Sequence, residues 1–545
     1  MNRRRLIQSA ALAPFAAALA SVIAACTPAA QPNAGASGSA KASAADTPRR
    51  GGTWVGVLSA DPASLNPNLV SDTSSILAAS GMYSALIWLN EKLEPQPDLA
   101  DSWTISPDGL RYEFKLNKNA RFHDGSPVTS ADVKYTMEEV AGKYNSLSAG
   151  IFKSIASIDT PDANTLVVNM KGASAVLMMS LGLGNMEIVP KKLYEGSDPR
   201  SNPRNSNPIG SGPFKFKEWV KGDHVTLVRN DDYYRAGLPY LDQLVSKVIP
   251  DGGARVIAFQ KGEVDYIIGA NVSRELVPDL LKVPGVQYWD HAGLAGVQLM
   301  HYNIKKKPLD DLRVRQAIAY GINQKAVVEK AYFNVAAVPS VSHIPADLAA
   351  FHDPSTKLPK YDVAKANQLL DDAGLKKGAD GIRFHLNMTY VASIDTDRRT
   401  AEVVRDSLKD VGIAIDLQPR DAAAIGKEVY TDKNFDLHNV QLTSNGDPAI
   451  GIDRWFTTGG IGVTFGNAST YSNPEIDKLF ADAATTIEVA KRKDLYFKAQ
   501  AILARDLPAF PVVDRGLIDF AQPQAGGVFK SPYMYWVPGI LWRRS

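Results

Sequence analysis

The sequence has almost no cysteine, with one residue, Cys26, in a chain of 545. A single thiol excludes an intramolecular disulfide, and it excludes zinc sites that need several thiolates. If the chain is exported, the stability of its folded part must therefore come from packing alone.

Enzyme signatures are also missing. The eight histidines include no His-Glu-x-x-His pattern and no pair at the i, i+4 spacing of a helix-borne zinc site. The chain also lacks a Gly-x-x-x-x-Gly-Lys-Ser/Thr phosphate loop and a Gly-x-Ser-x-Gly nucleophile elbow. A Ser-His-Asp triad with members distant in sequence stays open. We expect no catalytic residues, no metal and no cofactor.

No sign of charge dominates. Lys and Arg number 60 and Asp and Glu number 58, which gives a formal net charge of +2. The chain therefore has no overall basic field for nucleic acid and no acidic tail. A hydrophobic fraction of 45% is ordinary for a globular protein with a large core. The length alone indicates about three to four domains.

The N-terminus has the layout of a secretory signal. Arginines at residues 3–5 precede a mostly apolar run over 10–25, and small residues then precede Cys26. Beyond Cys26 there is no stretch of 18 apolar residues, so we expect the folded part to be soluble. We predict a signal peptide over 1–25 and a flexible tether over 26–50, because the tether is rich in Ala, Ser, Pro and Gly.

The residues Ile23-Ala24-Ala25-Cys26 resemble the lipobox of bacterial lipoproteins. The resemblance implies that Cys26 becomes the mature N-terminus and carries acyl chains, which would hold the protein at a membrane. Residues 2–8 resemble a twin-arginine export motif, although a Sec signal also starts with basic residues. We therefore expect a periplasmic, lipid-anchored protein, and we leave the export route open.

Local patterns predict both strands and helices. Residues 103–116 alternate apolar and polar on either side of Ser-Pro-Asp-Gly, which predicts a hairpin. Later segments have helical periodicity with start and stop residues, as in 362–374, 398–411 and 495–507. Asn473-Pro474 predicts another helix start. The fold class is therefore α/β, with mixed sheets in more than one domain.

Six stretches of the chain, in order, form one distinctive pattern. They are a turn-rich segment from Leu99 to Gly125, TSADV (129–133), NPIGSGPFKF (207–216), LVRNDDYY (227–234), PLDDLRVRQAIAYGINQKAVV (308–328) and YSNPEIDKLFADA (471–483). Together these stretches resemble the signature of family five bacterial solute-binding proteins, which include the dipeptide and oligopeptide receptors of ABC importers. The resemblance covers essentially all of residues 51–545.

The resemblance implies a two-lobed clamshell of the periplasmic-binding-protein type (type II) with an extra inserted domain. The chain is expected to cross between the lobes near residues 286 and 514. The implied ranges are 51–86, 207–286 and 515–545 for lobe I, 87–206 for the inserted domain, and 287–514 for lobe II.

The cleft between the lobes is the expected ligand site. In peptide-binding relatives, an Asp before Asn-Gly-Asp-Pro binds the ligand ammonium, and Ser444 takes that position here. A hydroxyl cannot neutralise a buried ammonium, so Ser444 disfavours peptides with a free N-terminus. Asp447 is an alternative anchor, or a turn residue before Pro448. Asn445 is expected to bind the ligand or to cap a turn.

Further candidates follow from the same resemblance. Arg398 and Arg399 lie where peptide-binding relatives carry a basic residue for the ligand carboxylate, although a pair exposed on the first turn of a helix has the same pattern. Tyr83 and Trp455 are candidate pocket aromatics, with core packing as the alternative.

The resemblance implies a substrate-binding component of an ABC importer, monomeric and not an enzyme. It would capture peptides or a peptide-like small polar solute and deliver it to the permease subunits. One alternative keeps this role for a non-peptide solute such as an opine, a sugar or a metal chelate. Others are a secreted hydrolase, and a chaperone-like or sensory protein on the same scaffold.

Overall fold

The computed structural model describes residues 47–544 except 71, 146–148, 184–185, 291–295 and 532–537. Cys26 and the predicted signal peptide lie outside the described residues, as does most of the predicted tether. Residues 48 onward form one compact unit. Within this part of the chain, no helix is both long and apolar enough to cross a membrane.

Helix starts follow the local chemistry of the sequence. Asp362 caps the helix after it by accepting a hydrogen bond from Lys365 N, and Asn473 accepts from Glu475 N with Pro474 in the first turn. The α-helices, in chain order, are α1 (Thr73–Ala79), α2 (Ser130–Tyr135), α3 (Gly142–Tyr144), α4 (Ala149–Phe152), α5 (Leu177–Gly182), α6 (Lys191–Tyr194), α7 (Gly252–Gln260), α8 (Val277–Leu280), α9 (Leu312–Gly321), α10 (Gln324–Lys330), α11 (Val363–Asp372), α12 (Asp395–Lys409), α13 (Ala422–Ile425), α14 (Pro448–Gly451), α15 (Asp453–Phe456), α16 (Pro474–Thr485) and α17 (Val489–Asp506). Two π-helical segments, Thr136–Ala141 and Gly426–Thr431, continue α2 and α13.

The strands carry the alternating or wholly apolar runs of the sequence. The strands, in chain order, are β1 (Thr53–Leu58), β2 (Ile87–Leu89), β3 (Pro95–Pro97), β4 (Ala100–Ile105), β5 (Arg111–Leu116), β6 (Ile155–Asp162), β7 (Thr165–Met170), β8 (Phe214–Val220), β9 (His224–Arg229), β10 (Gln243–Val248), β11 (Tyr266–Ile267), β12 (Gln287–Asp290), β13 (Gly296–Tyr302), β14 (Ala337–Pro339), β15 (Phe384–Val391), β16 (Ile413–Arg420), β17 (Leu437–Thr443), β18 (Ala509–Arg515), β19 (Ile518–Ala521), β20 (Ala525–Gly526) and β21 (Trp542–Arg543).

The first large sheet has seven strands in the order β12-β19-β11-β1-β10-β9-β8. Strand β1 pairs in parallel with β10 and β11, while β8, β9 and β10 are antiparallel neighbours. Apolar clusters cover both faces of this sheet, with Trp54 and Leu58 on one face and Val57 on the other. We call the part of the chain that carries this sheet the first lobe.

The second large sheet has six strands in the order β14-β18-β13-β17-β15-β16. Strand β13 is antiparallel to β17 and β18, and β15 is parallel to β16 and β17. The carboxyl ends of β15, β16, β17 and β18 therefore lie along one edge, which we call the carboxyl edge of this sheet. Helices α9, α11 and α12 cover one face, and α16 and α17 cover the other. This part is the second lobe.

A smaller antiparallel sheet has the strand order β4-β5-β7-β6. In the chain, its strands lie between β1 and β8 of the first lobe. The predicted hairpin over 103–116 is confirmed, because β4 pairs with β5 from Ala100 to Leu116. Thr129 and Asp132 form a reciprocal capping box at the start of α2. We call the part of the chain that carries this sheet and its helices the inserted domain.

The chain crosses between the two large sheets twice. It leaves β12 at Asp290 and enters β13 at Gly296, and it returns from β18 at Arg515 to β19 at Ile518. A division by sheets thus falls after residue 290, slightly past the predicted crossing near 286. Because β11 and β12 end where β19 begins, the crossings join the carboxyl edges of the two sheets. The result is a two-lobed α/β clamshell with an inserted domain.

Candidate functional site

The space between the two carboxyl edges is the candidate site. In open α/β sheets, ligands bind outside the carboxyl ends of strands. On the second lobe, the turn at Ser444 follows β17, the start of α12 follows β15, and Arg515 ends β18. Because β13 lies between β17 and β18, Gly296 at its start belongs to the same edge.

The Ser444 turn is held by its backbone. Ser444 is buried, and Asn445 and Gly446 both adopt left-handed conformations, with φ of 52° and 81°. Gly451 packs so closely on this turn that an added Cβ would lie 2.3 Å from the Ser444 carbonyl oxygen. The turn is therefore rigidly placed at the carboxyl edge, and a side chain at position 451 would displace it.

Asp447 belongs to the scaffold in this arrangement. Arg492 donates two hydrogen bonds to its carboxylate, at 2.9 and 2.7 Å, and both side chains are buried. Asp447 also caps α14 by accepting from Ala449 N at 2.9 Å. Since Arg492 already neutralises this carboxylate, the geometry favours the turn alternative over an anchor for a ligand ammonium.

The two predicted arginines of α12 have different partners. Arg398 pairs with Asp395 and, at 2.8 Å, with Glu402 on its own helix. Arg399 pairs with Asp395 and reaches Glu275 of the first lobe at 2.7 Å, with its guanidinium over the Phe333 ring. Arg399 therefore links the two lobes, while the partners of Arg398 all lie within α12.

The two predicted aromatics lie on different lobes. Tyr83 is buried in the first lobe, where its hydroxyl donates to the Leu65 carbonyl at 3.1 Å. It also lines two small adjoining cavities of about 40 and 100 Å³ together with Trp88 and Asp98. Trp455 is 1% exposed in the core of the second lobe, and its Nε1 has no acceptor among the described residues. The structure therefore places Tyr83 and Trp455 in the cores of different lobes.

A buried polar network lies directly beneath the carboxyl edge of the second lobe. Gln298 Nε2 donates to Asp397 Oδ1 and to Asn439 Oδ1, each at 2.9 Å, and Tyr332 Oη donates to Gln298 Oε1 at 2.7 Å. Asn439 Nδ2 donates to the Asp397 carbonyl at 2.8 Å. The network fixes the start of α12 against β13 and β17.

Burial raises the pKa of Asp397 to about 7, although the Gln298 hydrogen bond and the Arg515 charge act in the opposite direction. Its Oδ2 atom has no hydrogen-bond partner among the described residues. The sequence interpretation did not single out this residue. The available signal was the alternation of Asn439, Gln441 and Thr443 on one face of β17, which marks a polar layer facing the start of α12.

The second lobe also touches the inserted domain. Ile450 of α14 packs against an apolar group formed by Leu89, Leu93, Met179 and Leu183. Farther along, Ala175 N donates to the Ala484 carbonyl at 3.0 Å. Together with the pair between Arg399 and Glu275, these contacts join the second lobe to the inserted domain and to the first lobe.

The structure therefore brings part of the predicted set together. Ser444, Asn445 and Arg398 share one edge, because Gln441 of β17 donates to Thr396 at the start of α12. Asp447 and Trp455 lie behind that edge in the second lobe. Tyr83 lies on the first lobe.

Comparison with known proteins places the chain in a family. The family model described as "Bacterial extracellular solute-binding proteins, family 5 Middle" matches residues 94–462, more than half of the chain.

Individual relatives cover nearly the whole chain. Heme-binding protein A of Haemophilus influenzae is 27% identical over 510 residues, which are 89% of this chain and 91% of the relative. The glutathione-binding protein GsiB of Escherichia coli O157:H7 is 26% identical, covering 86% and 90%. Among solved structures, the binding protein AgaA of A. tumefaciens R10 in complex with agropinic acid superposes with a TM-score of 0.74 at 25% identity, covering 91% of this chain and 99% of that chain.

Proposed function

The chain belongs to the bacterial extracellular solute-binding proteins of family 5, and from that premise we propose that it captures a small polar solute and delivers it to an ABC permease. The observation that carries this proposal is the pair of facing carboxyl edges joined by two short crossings, at 290–296 and 515–518. Such a geometry can enclose a solute, and the relatives that match this chain are solute-binding proteins. We therefore propose a receptor and not an enzyme.

We propose that the solute is a peptide or a peptide-like molecule. The glutathione-binding relative supports this choice, because glutathione is itself a modified tripeptide. Two features limit the choice. Ser444 brings no negative charge to the turn, and Asp447 is already paired with Arg492. Neither position offers a carboxylate to a buried ammonium, which favours cargo without a free α-ammonium at this point.

The same observation supports a second candidate cargo, a non-peptide solute such as an opine. The AgaA structure in complex with agropinic acid shows that a protein of this fold accommodates such a molecule. A sugar or a metal chelate would also fit the absence of a carboxylate at position 444.

Capture proceeds by closure of the two lobes on the solute. A ligand shifts an open and closed equilibrium only through its greater affinity for the closed form. The contacts of Ile450 with Leu89 and Leu183, and of Arg399 with Glu275, are available only when the lobes approach each other. They stabilise the closed form, and the ligand supplies the remainder of the driving force.

The surroundings of the protein follow from the N-terminal sequence. We propose export to the periplasm by a Sec or twin-arginine signal, with Cys26 acylated and residues 26–50 acting as the tether. The mature protein would act as a monomer on the membrane surface beside its permease subunits. Mass spectrometry of the protein isolated from membranes tests this directly, because acylation adds a defined mass to the peptide that begins at Cys26.

Calorimetry combined with solution scattering tests the proposed function. The exported chain is titrated with glutathione, a di- and tripeptide panel and opines, and each binder is then added during X-ray scattering. We expect submicromolar binding of at least one compound and a smaller radius of gyration in its presence. Tight binding without compaction contradicts closure. Conversion of the bound compound into a product, seen by mass spectrometry, favours the hydrolase alternative instead.

A further inference from the structure

Four arginines in the described part of the chain have less than a tenth of their surface exposed, and three of them make three or more hydrogen bonds. Arg492 forms the two-bond pair with Asp447. Arg315 donates to four backbone carbonyls, and Arg255 donates to three. These three guanidiniums are therefore stabilised by several hydrogen bonds each, as buried charged groups generally are.

Arg515 is the exception. It is 9% exposed, and its guanidinium donates one long hydrogen bond, 3.4 Å, to the Thr443 hydroxyl. Its Nε atom has no acceptor, and it forms no ion pair with any carboxylate of the described residues. The positive charge of Arg515 lowers the pKa of Asp397, but the two side chains form no ion pair or hydrogen bond. A buried cation with so few partners is costly, unless a further group completes them.

The position of Arg515 shows where that group would lie. Arg515 is the last residue of β18, and the chain crosses to the first lobe directly after it. Its guanidinium lies against Gly296, where an added Cβ would be 2.8 Å from Cζ. Its hydrogen-bond partner Thr443 immediately precedes the Ser444 turn. All of these residues belong to the carboxyl edge, so Arg515 borders the space between the lobes.

We propose that Arg515 binds an anionic oxygen group of the solute, either a carboxylate or a phosphate. This inference rests on the proposed function and specifies its cargo. The planar guanidinium offers paired N–H donors that match such a group in two-bond geometry. The cargo is then an acid such as a peptide, an opine or a phosphorylated compound, and neutral sugars are excluded. The role also differs from the sequence prediction, which placed the basic residue for the ligand carboxylate at Arg398 or Arg399.

The test compares the wild type with Arg515→Gln, Arg515→Lys and Arg405→Gln by calorimetry. Arg405 lies exposed on α12 and pairs with Asp406, so its variant removes the same charge from the surface of the same lobe. The probes are glutathione, trialanine, trialanine C-terminal amide, agropinic acid, glucose 6-phosphate and glucose. Comparison of trialanine with its amide tests for recognition of a carboxylate. Comparison of glucose 6-phosphate with glucose tests for recognition of a phosphate, and glucose itself is the neutral probe.

We expect every probe that binds to carry an acid group, and R515Q to weaken its binding about 30-fold or more. R515K should retain intermediate affinity, because it keeps the charge but loses the two-bond geometry. R405Q should stay within about twofold of the wild type. Amidation of a peptide that binds should strongly lower its affinity for the wild type and change its affinity for R515Q little.

Thermal unfolding without ligand separates binding from folding. R515Q should be as stable as the wild type or more stable, because it removes a buried charge that has no ion pair and a single long hydrogen bond. A marked loss of stability in R515Q assigns Arg515 to the scaffold and overturns the inference. The inference is also overturned if R515Q binds a ligand with wild-type affinity, or if glucose binds tightly. A wild type that binds none of the probes contradicts the proposed function itself.

Discussion

The second lobe buries two acid and arginine groupings that differ in one respect. Asp447 and Arg492 form a closed pair with two short hydrogen bonds, and both side chains are at most 5% exposed. Asp397 and Arg515 are also buried, at 0% and 9% exposed, but they make no ion pair, and each keeps an atom without a partner among the described residues. The first grouping lies behind the carboxyl edge, and the second lies on it.

This difference separates fold from function. A buried ion pair that is complete holds elements together, here α14 against α17, and it has nothing left to offer a ligand. Buried charges that remain incomplete lower stability, and they persist where a ligand completes them. The distinction cannot be drawn from residue type, because both groupings consist of one aspartate and one arginine.

The largest expected effect comes from breaking the closed pair. Arg492→Met leaves the Asp447 carboxylate buried without its cation, and we expect the free energy of unfolding to fall by about 3–5 kcal/mol. Chemical denaturation measures the loss. The double variant D447N/R492M should recover a large part of it, because no unpaired charge remains. A loss below about 1 kcal/mol in R492M would show that the pair does not hold the fold.

Removal of the charge of Asp397, in the grouping with Arg515, should raise the free energy of unfolding, and the gain should depend on pH. The folded pKa of Asp397 is raised to about 7, above the ordinary 3.8 of the unfolded chain, so the folded state binds more protons between these values. The wild type therefore loses stability as pH rises from about 4 to 7. Asp397→Asn should be more stable than the wild type above pH 7, by about 2–4 kcal/mol, with a difference that vanishes near pH 4. Equal stability of the two proteins at pH 8 would contradict the pKa assignment.

A third variant tests whether contacts outside both groupings set the closed form. Ile450→Asp places a charge in the apolar contact with Leu89 and Leu183, so we expect about tenfold weaker ligand binding and a larger radius of gyration without ligand. Val463→Asp is the matched control, because Val463 is already 44% exposed on the same lobe. Unchanged affinity in I450D would remove this contact from the account of closure.

The smallest effect is expected at the exposed pair between the lobes. Glu275→Gln breaks its ion pair with Arg399, whose side chain is 28% exposed against 45% for Glu275. Exposed pairs contribute about 0–1 kcal/mol, so ligand affinity should fall by no more than about fivefold. The difference should shrink in high salt, because ions screen exposed charges. A larger loss of affinity that does not change with salt would show that this ion pair behaves as a buried pair and contradict its exposed position.

Much of the local structure could be predicted from the sequence. The hairpin at 103–116 and the helix starts at Asp362 and Asn473 depend on turn and capping residues that act within a few positions. The helix predicted over 495–507 begins earlier, at Val489, because its first turns are polar and exposed and so lack an apolar stripe. Motif resemblance supplied the lobes and the position of Ser444.

The electrostatic part of the site could not be predicted in this way. Asp447 and Arg492 are 45 residues apart, and Glu275 and Arg399 are 124 apart, so only the folded chain brings them together. Whether an arginine has partners is likewise a property of its surroundings in space. The sequence therefore indicated Arg398 and Arg399, whose position matches the family pattern. It did not distinguish Arg515, which makes one long hydrogen bond and no ion pair with the described residues.

A structure of the complex tests the central claim most directly. The protein is crystallised with the tightest binder found by calorimetry, and the position and chemical state of that molecule are determined. The account predicts an unaltered solute enclosed between the Ser444 turn and the first lobe, with an acid oxygen about 3 Å from the Arg515 guanidinium. A solute bound elsewhere, or one held between the lobes with Arg515 untouched, would contradict it.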